Sequence, residues 1–307
     1  SSEEELDAGL LRELRRAPKL QMLFLGPMMS RLSEPILTAA VAEALVELPR
    51  LRGVVIIGHA TEEGLKKLAG LPHLDTLLLE GCAFDEAKLQ AVSSLRQLRT
   101  FGATLGGGER KVWVIQLKNL AKLPRLQALD LSAFEIDDEV LRGLPEQLEA
   151  FGFSAHAAIT PDGLLALSKR KHLRRLTLRS GLRRDLQESF GQLLAGSGIE
   201  SLSCLETPTA ALWSAFQAAP SLRILSLRNF FALDQISEVC KLQRLESLSL
   251  RCRELPDAAA IAPLKTMASL RQLNLQLDPG TAKPGAQQLE ALQQCLGSRI
   301  ELQLRSR

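Results

Sequence analysis

The sequence predicts an α/β solenoid of about twelve strand–helix repeats, curved into a horseshoe with a parallel sheet on its inner side. Three observations predict it. The pattern L-x-x-L-x-L recurs twelve times, opening at Leu20, Leu51, Leu74, Leu98, Leu126, Leu148, Leu173, Ile199, Leu222, Leu245, Leu270 and Arg299, with spacings of 22 to 31 residues. A period of that size marks stacked supersecondary units. Of the 36 positions the pattern assigns to apolar side chains, only Arg299 departs, and it lies in the terminal repeat, where one side of the core has no neighbour. Between the motifs, segments such as DEAKLQAVSSL at Asp85, DDEVLRGL at Asp137 and PDGLLALSK at Pro161 open on acidic residues or proline and carry apolar residues at helical spacing.

Taken in order, residues 1–19 predict an acidic-started amphipathic helix, and residues 27–48 a second helical stretch after Pro27. Residues 1–48 are therefore assigned to an N-terminal helical cap with the first repeat, and 49–307 to the rest of one continuous solenoid domain. In each motif the last two apolar residues alternate with a residue of the other face, the period of a short strand with one side buried. Stacked strands lie ~4.8 Å apart, whereas packed helices need ~8–10 Å. The array must curve with its sheet on the inside.

These residues resemble the leucine-rich repeat proteins over roughly positions 18–305. CAFDEAKLQAV at Cys82 and HAAITPDGLLAL at His156 are similar to the cysteine-containing subclass, whose motif continues C-x-x-I-T-D-x-x-L into a helix. Only Cys82 keeps the cysteine; His59, Phe134, His156 and Phe230 stand at that position elsewhere. The resemblance implies a scaffold for binding other macromolecules, usually proteins, and leaves the particular function to the surface residues.

Composition narrows the classes further. In 307 residues, 46% are hydrophobic and 24% charged, which excludes a collagen-like or largely disordered chain. Aromatics are 4% and Tyr is absent, so a base-stacking surface is not expected. Neither a secretory leader nor an apolar run near the ~20 residues of a membrane span is present. Five cysteines without a C-x-x-C pair predict reduced thiols. The expected location is the cytoplasm, or a host cytoplasm for a delivered effector, with no membrane partner. Cys204 takes a core Leu position, where a thiol acts as a small hydrophobe.

Catalytic and cofactor signatures are lacking. Gly106-Gly107-Gly108 is followed by Glu109-Arg110-Lys111, not the Lys-Ser/Thr of a phosphate loop. His59 and His156 share a turn column, and His73 and His172 each precede a motif Leu, a repeat-column arrangement rather than the convergence of metal ligands. The Asp137-Asp138-Glu139 run suits a helix start. The expectation is a non-enzyme with no cofactor and no metal.

The candidate site is the inner face. At offset four from each motif start stand Phe24, Val55, Leu78, Gly102, Asp130, Gly152, Thr177, Ser203, Ser226, Ser249, Asn274 and Gln303, passing from apolar to hydroxyl and amide. Offset six holds Ile57 in the first half and Arg179, Arg228, Arg251 and Arg305 in the second, and Arg175 at offset two adds a fifth guanidinium. Residues 1–153 contain 18 Lys+Arg against 22 Asp+Glu, whereas 154–307 contain 20 against 13. The halves therefore carry −4 and +7. Guanidinium forks above a floor of hydroxyls suit carboxylates and phosphates, and Phe24, Val55, Ile57 and Leu78 predict an apolar patch. The sequence thus points to a protein-interaction module that binds a partly acidic, partly apolar partner on the concave face, as the sensor or substrate-recognition region of a larger signalling, defence or ubiquitin-ligase protein. The alternative is a nucleic-acid or polyphosphate binder using the basic half; a pI near 8.6 is modest for that role.

Overall fold

The computed structural model describes residues 11, 13–17, 19–26, 35–104, 113–114, 120, 123–132, 134–155, 158–205, 207–278 and 285–306. Most of the predicted N-terminal helix, residues 27–34, the triple glycine at 106–108 and His156 lie outside them. The chain divides into two compact units, Ser1–Ser154 and Ala155–Arg307.

In the first unit six strands follow one another in sequence order: β1 (Met22–Leu25), β2 (Gly53–Ile57), β3 (Thr76–Glu80), β4 (Thr100–Thr104), β5 (Ala128–Asp130) and β6 (Ala150–Phe153). All pair in parallel. Helices α1 (Ala39–Val46), α2 (Glu62–Lys67), α3 (Glu86–Ser93) and α4 (Asp138–Gly143) fill the returns. The second unit repeats the scheme with β7 (Arg175–Leu178), β8 (Ser201–Cys204), β9 (Ile224–Phe230), β10 (Ser247–Cys252), β11 (Gln272–Leu277) and β12 (Glu301–Ser306), again parallel. Its helices are α5 (Pro161–Leu165), α6 (Arg184–Gly196), α7 (Ala210–Ala218), α8 (Ile236–Cys240), α9 (Ala258–Ile261) and α10 (Ala286–Leu296). Each unit is therefore the α/β leucine-rich repeat solenoid that the sequence predicts.

The helix starts are chemically explicit. Thr38, Thr61, Asp85, Asp137, Thr160 and Thr209 each accept a hydrogen bond from the backbone N–H three residues on, at 2.8 to 3.3 Å. Each thereby satisfies one of the orphan donors of a helix N-terminus. The carboxylate run at Asp137 is thus a cap and first turn.

Packing follows the motif. All thirty apolar positions of the second to eleventh repeats are buried, including Cys204 at 2% exposure. In the first repeat Leu20 and Leu23 are only half-buried, as an edge requires. The departure at Arg299 has its own solution. Its Nη2 donates to the carbonyls of Lys265 at 2.7 Å and Met267 at 2.9 Å, while Ile300 beside it is fully buried. An aromatic cluster, Phe84 against Phe101 and Phe134 at centroid distances of 6.2 and 5.3 Å, completes the core of the first unit.

Two details differ from the sequence expectation. Residues 35–37, inside the stretch predicted to be helical, form a short strand paired in parallel with His59–Ala60. Thr61 fixes that position, its N–H and Oγ1 both donating to the Leu37 carbonyl at 2.9 and 3.1 Å. A second short pair joins Trp113–Val114 to Phe134–Glu135.

Candidate functional site

In a strand, alternate side chains leave the core, so each unit presents a second sheet face of its own, called here the open face. In the second unit the register aligns Thr177, Ser203, Ser226, Ser249, Asn274 and Gln303 across six strands. All are half-buried. Among the described residues the hydroxyls of Thr177, Ser203 and Ser226 make no side-chain hydrogen bond, and Asn274 Oδ1 is buried without a partner. Ser249 Oγ accepts from Gln276 Nε2 at 3.4 Å. A row of polar groups with spare bonding capacity is therefore held at strand spacing, ~4.8 Å.

Two lanes flank this row. On the side of the strand starts, Arg175 is paired in register with Ser201, which is paired in turn with Ile224, exposed at 44%. At the strand ends stand Arg179, Leu205, Arg228, Arg251 and Arg305, of which Leu205 is 43% exposed. Arg228 and Arg251 share offset six in neighbouring repeats but are not register partners. A register shift between Leu227 and Phe230 leaves Arg228 and Asn229 in a bulge and sets Phe230 opposite Arg251. Arg251 is also already engaged: its Nε and Nη2 donate to Asp278 Oδ1 at 3.2 and 2.8 Å, and its guanidinium carbon lies 4.7 Å from the Phe230 ring centroid. Arg253 lies 4.8 Å from the same centroid.

The stretch 169–184, in which eight of sixteen residues are Lys or Arg, does not form a single patch. Arg174 donates to the Lys171 carbonyl and pairs with Glu200 at 3.4 Å, whereas Arg183 is tied to Asp185 at 2.8 Å and holds that carboxyl below its usual range. Arg175 and Arg179 are its members on the open face.

In the first unit Phe24, Val55, Leu78, Gly102, Asp130 and Gly152 align in register. Phe24 is 68% exposed, Ile57 40% and Met22 43%. Val55, expected to be an open member of this patch, is instead buried at 8% exposure. It lies between Phe24 and Leu78 on adjacent strands, and side chains of that size shield the smaller one between them. Gly102 and Gly152 leave room for their neighbours. A Cβ at Gly102 would lie 2.8 Å from Leu78 Cδ2, and one at Gly152 would lie 2.9 Å from Asp130 Cγ.

One column escaped the sequence analysis. At offset one, immediately before each strand, charges alternate: Arg52 pairs with Asp75 at 2.6 Å, Arg174 with Glu200, and Arg223 with Glu246 at 3.5 Å. Between the first two pairs, Arg99 reaches Gln127 and Gln127 reaches Glu149 at 3.4 and 3.2 Å. The signal was available as alternation of sign at the motif period. Its chemistry is cross-strand pairing that favours the correct repeat order.

The thiols of Cys82, Cys240 and Cys252 are pushed upward by burial, Cys252 to about 11. Among the described residues no cluster of His, Cys, Asp and Glu could hold a metal ion, and no helix is long and apolar enough to cross a membrane.

No protein-family model matches the chain, and no curated protein matches it. Among solved structures it is similar to an internalin (inlF) from Listeria monocytogenes str. 4b F2365, at 17% identity and a TM-score of 0.40, with 95% of this chain and 88% of that one covered.

Proposed function

We propose that the chain is a non-enzymatic protein-interaction module that uses the open sheet faces of its units to bind a partner with acidic and apolar segments. The observation that carries this reading is the second unit's face: a half-buried row of hydroxyls and amides with unused bonding capacity, bordered by Arg175, Arg179, Arg228, Arg251 and Arg305. Bidentate guanidinium donors favour carboxylates, and neutral hydroxyls favour main-chain peptide groups. For the first unit, Phe24, Ile57 and Met22 supply exposed apolar contacts for the apolar segment. The placement of such a module in the cytoplasm, within a signalling, defence or ubiquitin-ligase protein, belongs to the same proposal. The likeness to the cysteine-containing subclass rests on Cys82, buried just before the capped helix α3.

The test is retention of protein from a native lysate by the wild-type chain and by a variant carrying Arg179→Glu, Arg228→Glu and Arg251→Glu. The proposal expects a discrete set of proteins, resistant to nuclease treatment, that the reversed variant loses. Retention of the same set by both chains would refute it, as would retention of nucleic acid alone.

A further inference from the structure

Phe230 owes its position to a local device. The bulge at Arg228 and Asn229 is held by the Asn229 side chain, whose Nδ2 donates to Thr207 Oγ1 at 3.2 Å and whose Oδ1 accepts from Phe230 N at 2.9 Å. The ring brought opposite Arg251 then lies against two guanidinium groups, at 4.7 and 4.8 Å. Stacking on an aromatic ring holds a guanidinium plane in place, so less freedom is lost when an oxyanion binds it. Asp278 already displays the chemistry. Its carboxylate takes the Nε proton and one Nη2 proton of Arg251, and among the described residues no acceptor takes the two Nη1 protons.

Building on the open-face reading above, we infer that Phe230, Arg251 and Arg253 form a carboxylate anchor for a Glu or Asp side chain of an extended acidic peptide in the partner. The peptide's main chain crosses the Thr177, Ser203, Ser226, Ser249 and Asn274 row. Those five residues span about 19 Å at strand spacing, the length of about six extended residues. In an extended chain the carbonyls and N–H groups point at right angles to the side chains. Backbone groups directed down at the hydroxyls therefore send side chains sideways, alternately toward the arginine lane and toward the lane of Ile224. The fitting segment alternates acidic and apolar residues. Nucleic acid fits less well, because guanidiniums already pack against the one aromatic ring of the anchor and the floor carries no further positive charge.

The probe is a fluorescein-labelled decapeptide of alternating Glu and Val, titrated by fluorescence polarisation against the full chain, with the Gln–Val peptide as control. The Glu peptide is expected to bind at least about tenfold more tightly than the Gln peptide, the effect of a charge-assisted contact. Phe230→Leu and Arg253→Gln should each weaken it by about fivefold or more with thermal melting unchanged, whereas Asp278→Asn, which removes a competing carboxylate, should tighten it. If both losses stay within twofold while Arg179→Glu abolishes binding, the anchor is wrong and the open face still stands as the binding surface. Equal binding of the Glu and Gln peptides, or displacement by inorganic phosphate or a ten-nucleotide RNA at lower concentrations than the unlabelled Glu peptide, would overturn the inference. The lysate experiment judges the open face independently of this probe.

Discussion

Strand β9 offers a sharp test of the alternation on which the whole reading depends, because adjacent residues take opposite sides of the sheet. Leu225 is fully buried and paired in register with Leu202 and Leu248, whereas Ile224 is 44% exposed on the open face. Leu225→Ala removes three buried carbons, about 2.4 kcal/mol at ~0.8 kcal/mol each. The cavity left in a stack of leucines brings the total to ~2–5 kcal/mol. Ile224→Ala deletes a side chain that is nearly half in water, and should cost about 1 kcal/mol from the same transfer value. Urea titration in a Trp113→Phe background reads the second unit through Trp213, which is 3% exposed on α7. A cost below ~0.5 kcal/mol for Leu225→Ala, or equal costs for the two variants, would refute the assignment of the faces.

Three further outcomes follow from particular residues. Because Val55 is buried, Val55→Asp should destabilise the first unit by ~3 kcal/mol in urea unfolding, whereas Phe24→Ser, at a 68% exposed position, should leave stability nearly unchanged and lower binding of a hydrophobic dye. Glu246→Lys places a third cation between Arg223 and Arg271 and should cost ~0.5–1 kcal/mol, less in 0.5 M salt, with Glu246→Gln costing under half as much. The Cys252 thiol rises from 9.0 unfolded to about 11 folded, so its stabilising contribution is complete below pH 9 and is lost as pH climbs to about 11. Native protein at pH 8 should therefore resist iodoacetamide at Cys252, and mass mapping of that peptide checks it.

The strands and most helices were legible because both signals are local: a period of two in each motif, and a threonine or aspartate three residues before the N–H it caps. The short pair between residues 35–37 and His59–Ala60 was hidden, since so few residues carry no periodicity and the pairing is set by Thr61 on the Leu37 carbonyl. Burial of Val55 depends on its neighbours in adjacent repeats, which the composition of its own strand does not encode. The arginine column was visible, but its geometry was not. Two extra residues at 228 and 229 displace Arg228 and substitute Phe230, and the partner of Arg251 is Asp278, 27 residues away in the next repeat. The alternating ladder at Arg52, Asp75, Arg174, Glu200, Arg223 and Glu246 is fully present in the sequence at offset one, in the turn before each strand, outside the offsets that define the open face.

The central claim is that the second unit's open face binds an acidic protein segment through its arginines. Calorimetric titration of the purified partner retained from lysate, at ionic strengths from about 0.05 to 0.5 M, measures it directly. The account predicts an affinity that falls steadily with salt and is lost when Arg179, Arg228 and Arg251 are reversed to Glu. An affinity flat with salt and indifferent to the three reversals would contradict it.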